Sequence, residues 1–510
     1  MTDSLVLNGR SLDLQGFLDV ARFRRPVSLC GDAMQKVRDS FAAVTRIAAS
    51  GVPTYGISTG FGELSKVVIA PGENARLQTN LLRSHACAVG EPLLEEQVRG
   101  MMLLRLNTIL IGYSGANPSI CELLAELLNR NIVPVVPSQG SLGASGDLAN
   151  LAHMALVLIG EGEAVTAGKR LPGGEALRDA GLEPVRLSGK DGLALINGTQ
   201  LMTSVGALAV ADALALVKTA AASLSLSMEA LCGITGAFLP EIHALRPHPG
   251  QAETAAMVLL LVHGSERTDS RPDDVQDAYT LRCAPQVHGA AHDALLVSVR
   301  ALEIEMNAVN DNPLVLPDGR VISGGHFHGE PIALPLDYAA IATAELANIS
   351  ERRSERMVNP QLSGLPAFLT EQSGLCSGYM IPQYAAAALV SENKVLAHPA
   401  SVDSIPSSAN KEDHVSMGAH AARKLARIVT NTARVLAIEL MVAAQALDLA
   451  VRDGKAPAAA TRAIHALVRS EVPHLTDDRV LSNDMERLYA LVKSHRVAEL
   501  VDELIEARGL

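Results

Sequence analysis

Ala144-Ser145-Gly146 is a tripeptide from which a polypeptide can build its own electrophile. If the Gly146 nitrogen attacks the Ala144 carbonyl carbon and two waters leave, one of them carrying the Ser145 hydroxyl, the product is a five-membered methylidene-imidazolone ring. Such a ring is an electron sink whose exocyclic methylene comes from Ser145. Gly146 suits the closure because a residue without Cβ lets the backbone fold tightly enough for a nitrogen to approach a carbonyl. Ala-Ser-Gly is also a common loop tripeptide, so its surroundings carry the argument. In PSQGSLGASGDLANLAHMALVLIGEGE it follows a Pro-rich extended stretch and opens an apolar helix, with Asp147 in the first turn. Free N–H groups and the helix dipole favour developing negative charge there.

Other residues have types and spacings suited to the same chemistry. Tyr55 opens the Gly-, Ser- and Thr-rich run YGISTGFG, and a phenol can remove a proton when its surroundings lower its pKa. The run QDAYTLRCAPQVHG supplies Gln276, Tyr279 and Arg282; helical spacing of three puts the last two on one face, and a guanidinium can grip a carboxylate bidentately. Asn197 stands at the head of a long helix, where asparagine commonly caps. In GGHFHGEP, Phe327 lies between His326 and His328, but no third ligand at recognisable spacing makes this a metal site. NDNP at 310–313 lacks the glycine and terminal glutamate of a calcium loop. Gly56-Ile57-Ser58-Thr59-Gly60 spells G-x-S-x-G, but in a loop flanked by helices rather than at a strand-to-helix elbow, and no H-E-x-x-H helix is present, which disfavours the commonest hydrolase and metalloprotease readings.

The segment around Ala144-Ser145-Gly146 resembles the signature of the histidine and phenylalanine ammonia-lyase family, and the likeness extends over nearly the whole chain. The resemblance implies a methylidene-imidazolone formed autocatalytically, with no external cofactor and no metal. It implies that Tyr55 removes the β-hydrogen and that Tyr279 lies near the ring and the amino group. It further implies that Arg282 clamps the carboxylate with Gln276 nearby, and that Asn197 and Phe327 stand beside the electrophile. A homotetramer with active sites shared between subunits follows from the same likeness. Ser84-His85 and Glu412 resemble the histidine-lyase pattern rather than the Phe-Leu and Asn-Gln of plant phenylalanine enzymes. An imidazole offers a donor and an acceptor on opposite edges, so Glu412 can accept N–H while His85 meets the other nitrogen. Against a phenyl ring both would lack partners, at about 1 to 3 kcal/mol each. The expectation is therefore elimination of ammonia from L-histidine to give trans-urocanate. A tyrosine lyase or a 2,3-aminomutase is the alternative, since related tyrosine enzymes also place a histidine at the His85 position. The chain departs from the family at Ser58, Ala278, His326 and Lys411, which bears on substrate choice and not on the electrophile. A catalytically dead scaffold would not be expected to retain Tyr55, Ser145, Tyr279 and Arg282.

These groups need a frame. The 510 residues are 48% hydrophobic and only 3% aromatic, with no Trp, which favours closely packed Ala-, Leu- and Val-rich helices. A net charge of -12 argues against a nucleic-acid surface. Six dispersed cysteines without C-x-x-C spacing indicate neither a disulfide framework nor a zinc site, and with no basic-then-apolar leader at the N-terminus the expected location is cytoplasmic. The fold class is mainly α: a mixed N-terminal domain over 1–196 carrying the Ala-Ser-Gly loop, and a long-helix bundle over 197–510 forming an oligomer core. Periodicity predicts helices at 32–50 with Gly51 at C′, 73–88, 93–112 and 118–130, the last with Asn117 as cap. Further helices are predicted at 197–231, 251–264, 286–309, 331–357, 382–397 and 412–450. A β insert at 164–171 and a hairpin turning at Pro317-Asp318-Gly319 complete the pattern. The apolar stretch 201–231 carries Asp212 and Lys218 and is expected to be a buried bundle helix rather than a membrane span.

Overall fold

The structure is a computed structural model that describes residues 4–50, 52–60, 62 and 66–508. Helix makes up 61% of it. Two compact units are present, and neither is contiguous in sequence. The first gathers residues 1–208, 298–337 and 399–423; the second gathers 209–297, 338–398 and 424–510. The division thus brings two later segments back to the N-terminal part, instead of cutting the chain once after residue 196.

The first unit is built around the helix Glu95–Leu110, in which every side chain from Val98 to Leu110 is buried. Such a helix must satisfy its polar residues internally. Arg99 donates to the Val20 and Leu128 carbonyls, and Asn107 donates to Met306 O while accepting from Gly9 N. Beside it Pro118–Asn129 begins as its sequence dictates: the Asn117 carboxamide accepts from Ser119 N at 3.1 Å, proline fills the first turn, and Ile120, Leu123, Leu124, Leu127 and Leu128 form one buried face. The helix Gly31–Ala49 ends close to the predicted place, although Gly51 lies outside the described residues. Sheets are small. Leu5–Leu7 pairs in parallel with Val27–Leu29, and the predicted insert is the antiparallel pair Glu163–Thr166 and Lys169–Pro172, joined by Val133–Pro134. The hairpin pairs Leu314–Val315 with Val321–Ile322, and Gly319 takes the left-handed conformation that the turn requires (φ +85°).

In the second unit long helices enclose an ionic cluster. Arg353 and Glu439 are fully buried partners, and the carboxylate also accepts from Ser223, Ser227 and Ser350. An ion pair removed from water in this way is tolerable only with its remaining lone pairs satisfied. By length and composition Gln200–Leu231 and Glu330–Val358 could each cross a bilayer, but 72% and 61% of their apolar windows are buried inside the protein, as core helices are. The last predicted long helix starts later than its sequence suggests, at Gly418 rather than 412, leaving 412–417 as loop.

Candidate active site

Tyr55, His85, Ala144, Ser145, Gly146, Asn197, Phe327 and Glu412 all belong to the first unit. The tripeptide sits in a tight turn just before the helix Leu148–Leu158, where Gly143 and Ala144 both bridge to Gly146. Glycine is obligatory at both ends of the turn. A Cβ on Gly146 (φ +72°) would lie 2.1 Å from Gly198 O, and one on Gly143 (φ +74°) would lie 2.2 Å from Ser416 Oγ. The backbone is therefore folded tightly at Gly143–Gly146, with no space for a side chain at either glycine.

Long-range bonds fix this turn. Gly198 O accepts from Asp147 N at 2.7 Å, and Asn197 Nδ2 donates to Ser145 O at 3.0 Å. Met417 N donates to Leu142 O, while Ala144 packs with Val415 and Met417. Asp147 stands at the N-cap position of Leu148–Leu158 without capping it. Its fully buried carboxylate instead accepts from Ser141 Oγ at 2.8 Å and from Met202 N at 3.0 Å in the first turn of Gln200–Leu231. Burial pushes this carboxyl up to about 6, against the lowering effect of those hydrogen bonds and of the nearby Arg105 charge.

On the side of the Ser145 hydroxyl lies Glu412. Its Oε1 accepts from Ser145 Oγ at 3.0 Å and its Oε2 from Ser407 Oγ at 2.9 Å. Residues 407 and 412 pair across a turn whose Ser408, Ala409 and Asn410 all have positive φ, a sparsely populated conformation that costs on the order of 1 to 3 kcal/mol per residue. Strain of that kind persists only where surrounding contacts impose it. His85, at the end of Asn74–His85, has its pKa lowered chiefly by burial, with Leu81 and the Glu412 charge pulling the other way. Its Nδ1 lies 3.0 Å from Ser84 Oγ, and Ser84 Oγ donates to Leu81 O. One hydroxyl hydrogen cannot serve both, so with Ser84 donating to Leu81 the ring donates through Nδ1 and keeps Nε2 as an acceptor.

Tyr55 follows the helix Gly31–Ala49, and its hydroxyl accepts from Gly62 N at 3.3 Å. Ser58, one of the departures, turns into its own loop by bonding Thr54 N and Val52 O. Phe327 is half-buried in the turn after the hairpin, and Gly329 beside it packs on Met202 and Ser416, the residues that brace the tripeptide. NDNP is structural: Asp311 forms a fully buried pair with Lys190 at 2.7 Å, and Asn312 holds Gly324 N at 2.7 Å. Among the described residues no group of three or more His, Cys, Asp or Glu is placed to hold a metal. Cavities of about 480, 460 and 600 Å³ occur in the molecule, and of the site residues only Tyr55 lines one of them.

Gln276, Tyr279 and Arg282 belong to the second unit. Gln276 is exposed in an irregular stretch, Tyr279 is 70% exposed, and both Tyr279 and Arg282 lie on the short helix Tyr279–Arg282. The shared face read from their spacing is present, with the guanidinium 4.6 Å above the Tyr279 ring centroid and Nε donating to Asp277 O.

The tight Ala-Ser-Gly turn thus has the Glu412 carboxylate on Ser145, with His85 within reach of its charge. The family model for aromatic amino acid lyases matches residues 12–470. The chain belongs to this family. The lyase is 55% identical over 500 residues to a histidine ammonia-lyase of Treponema denticola, covering 98% of both chains, and 54% identical to one of Symbiobacterium thermophilum, covering 97% of both. Its fold matches the crystal structure of histidine ammonia-lyase from Trypanosoma cruzi with a TM-score of 0.91 at 41% identity, covering 98% of the lyase and 96% of that chain. It also matches a tyrosine aminomutase from Streptomyces globisporus with a TM-score of 0.93 at 38% identity, covering 98% and 99%. The lyase is thus a carbon–nitrogen lyase of the methylidene-imidazolone-dependent type. Sequence reasoning missed Ser141, which bonds Asp147 and Gly143 N beside the turn, and Arg105, which bonds Asn197 O behind it.

Proposed function

We propose that this lyase eliminates ammonia from L-histidine to give trans-urocanate, using a methylidene-imidazolone made from Ala144, Ser145 and Gly146. The carrying observation is the pair that faces the tripeptide: Glu412, 3.0 Å from Ser145 Oγ, with His85 within its electrostatic reach. The ring supplies an electron sink that makes the amine a leaving group. The chain's own residues do the rest. Tyr55 takes the β-proton, Arg282 holds the carboxylate with Gln276, and Tyr279 faces the amino group. Asn197 braces the turn at Ser145 O and Phe327 stands beside the ring. Glu412 accepts the substrate's imidazole N–H and neutral His85 meets its other nitrogen, a division of labour that a phenyl ring cannot use.

A homotetramer with shared sites is part of this reading. It is supported by the exposure of Tyr279 and of Val275 (95%), and by Ile381, Tyr384 and Val395 along one exposed face of Met380–Leu396. Six free cysteines fit a cytoplasmic setting. The likeness to a tyrosine aminomutase sustains the second reading, in which His85 meets a phenol and ammonia returns to the β-carbon.

Incubation with L-histidine, L-tyrosine and L-phenylalanine, followed by ammonia release and near-ultraviolet absorbance of the conjugated acrylate, separates these. Histidine should be strongly preferred, and Glu412→Gln should lower kcat/KM for it by about 10- to 100-fold, the worth of a hydrogen bond to a charged group. A preference for tyrosine, a β-amino acid product, or an unchanged rate in Glu412→Gln would reject the histidine assignment.

A further inference from the structure

Arg105 stands in the middle of the buried helix Glu95–Leu110 with no exposure to solvent. Among the described residues no carboxylate is paired with it. Its Nη1 donates to Ala194 O at 3.0 Å and its Nη2 to Asn197 O at 2.9 Å, with Gln200 Oε1 as a further acceptor, while its Nε finds none among the described residues. The two carbonyls end the helix Asp191–Ile196, where the dipole favours a cation. A guanidinium placed here with one donor unmet is poorly explained by stability alone, since each buried unsatisfied group costs about 1 to 3 kcal/mol.

The position of its fork explains more. Gly198 has φ +150°, and a Cβ there would lie 2.3 Å from Arg105 Nη2, 2.7 Å from Asn310 Oδ1 and 2.7 Å from Gln200 Oε1. Gly198 in turn fills the place of a Cβ on Gly146, 2.1 Å from its carbonyl oxygen. Guanidinium, Gly198 and Gly146 are therefore stacked in contact, with no room for a methyl at either interface.

We propose that Arg105 is a positioning residue for ring closure, acting as a strut that holds the Asn197–Gly198 peptide against Gly146 so that the Gly146 nitrogen stays on the Ala144 carbonyl carbon. This rests on the reading that the tripeptide cyclises. In that reaction the Gly146 N–Ala144 C bond forms. The first water takes the Ala144 oxygen with the amide protons of Ser145 and Gly146, and the second takes the Ser145 hydroxyl with its Cα proton. Arg105 touches none of these atoms and acts through Asn197 and Gly198.

The test is the intact mass of full-length Arg105→Gln and Arg105→Lys, with thermal unfolding, kcat and KM measured on the same preparations. Arg105→Lys keeps charge and bulk but cannot reach two carbonyls in fork geometry, which protects the test should Arg105→Gln not fold. The folded variants should retain the encoded mass in most molecules, with kcat down at least tenfold and KM of the residual mature fraction unchanged. Refolding Arg105→Ala with guanidinium ion should restore the loss of two waters. Folded variants that weigh two waters less than encoded and turn over at the wild-type rate would overturn the strut while leaving the electrophile intact. Wild type at its encoded mass would overturn both.

Discussion

The two segments to which the proposed function assigns reactive groups are built in opposite ways. The Ala144–Gly146 turn is over-determined: two glycines that tolerate no Cβ, a buried carboxylate, and hydrogen bonds from residues fifty and more positions away hold it. The Tyr279–Arg282 segment is anchored by buried Leu281 but presents Tyr279 to solvent, and half-buried Arg282 rests on its neighbour's ring and on a carbonyl five residues back. An intramolecular condensation requires reactants held in contact before any partner arrives, whereas a carboxylate clamp need only be formed when substrate is present. On the proposed function, the first segment is organised for making a reagent and the second for using it.

The most damaging change to this contrast is Ser145→Ala. Wild type should weigh two waters less than its encoded sequence, and the variant should carry its full encoded mass with unfolding temperature nearly unchanged. Turnover should fall by more than about 10³-fold, beyond the roughly 10² to 10³ that one lost transition-state donor costs. Normal encoded mass in active wild type would remove the distinction between the segments altogether.

The sequence made much of this frame legible, and unevenly. Asn117-Pro118 and Pro317-Asp318-Gly319 announce a helix start and a hairpin by local chemistry, and both occur. The helix predicted from 412 begins at 418 because SVDSIPSSANKEDHVSM carries no helical period, and Met417 itself has φ +54°. Asp147 reads as a first-turn acid, yet its bonds go to Ser141 and to another helix, a partnership no local pattern encodes. The sequence does carry a signal for Arg105: an arginine inside MMLLRLNTIL, a largely apolar run, has little surface on which to lie. Contacts that close over long sequence separations are what the linear pattern withholds.

The pH dependence of stability sharpens the contrast by a smaller margin. Asp147 is an acid whose folded pKa, about 6, lies above its ordinary value, so the folded state binds its proton more tightly than the unfolded chain does. Its contribution is largest below about pH 4 and is lost as pH rises through 6, on the order of 3 kcal/mol in all. Asp147→Asn cannot titrate. The difference in unfolding free energy, wild type minus variant, should therefore fall between pH 4 and 6 and stay flat above 7. A flat difference from pH 4 upward would mean that Asp147 is not held in an apolar enclosure.

The smallest expected effect belongs to the open segment and discriminates best. Arg282→Lys keeps the charge, loses the bidentate fork, and gives up a stacking contact worth about 0.5 to 1 kcal/mol at an exposed site. If Arg282 serves substrate, kcat/KM should fall by about 10- to 100-fold, the 1.5 to 3 kcal/mol of a charge-assisted hydrogen bond, with unfolding temperature barely moved. If its work is to brace Tyr279 and the Asp277 carbonyl, the pattern reverses: stability drops and kinetics stay. Steady-state kinetics and calorimetry on one preparation decide between a clamp awaiting its ligand and a turn closed on itself.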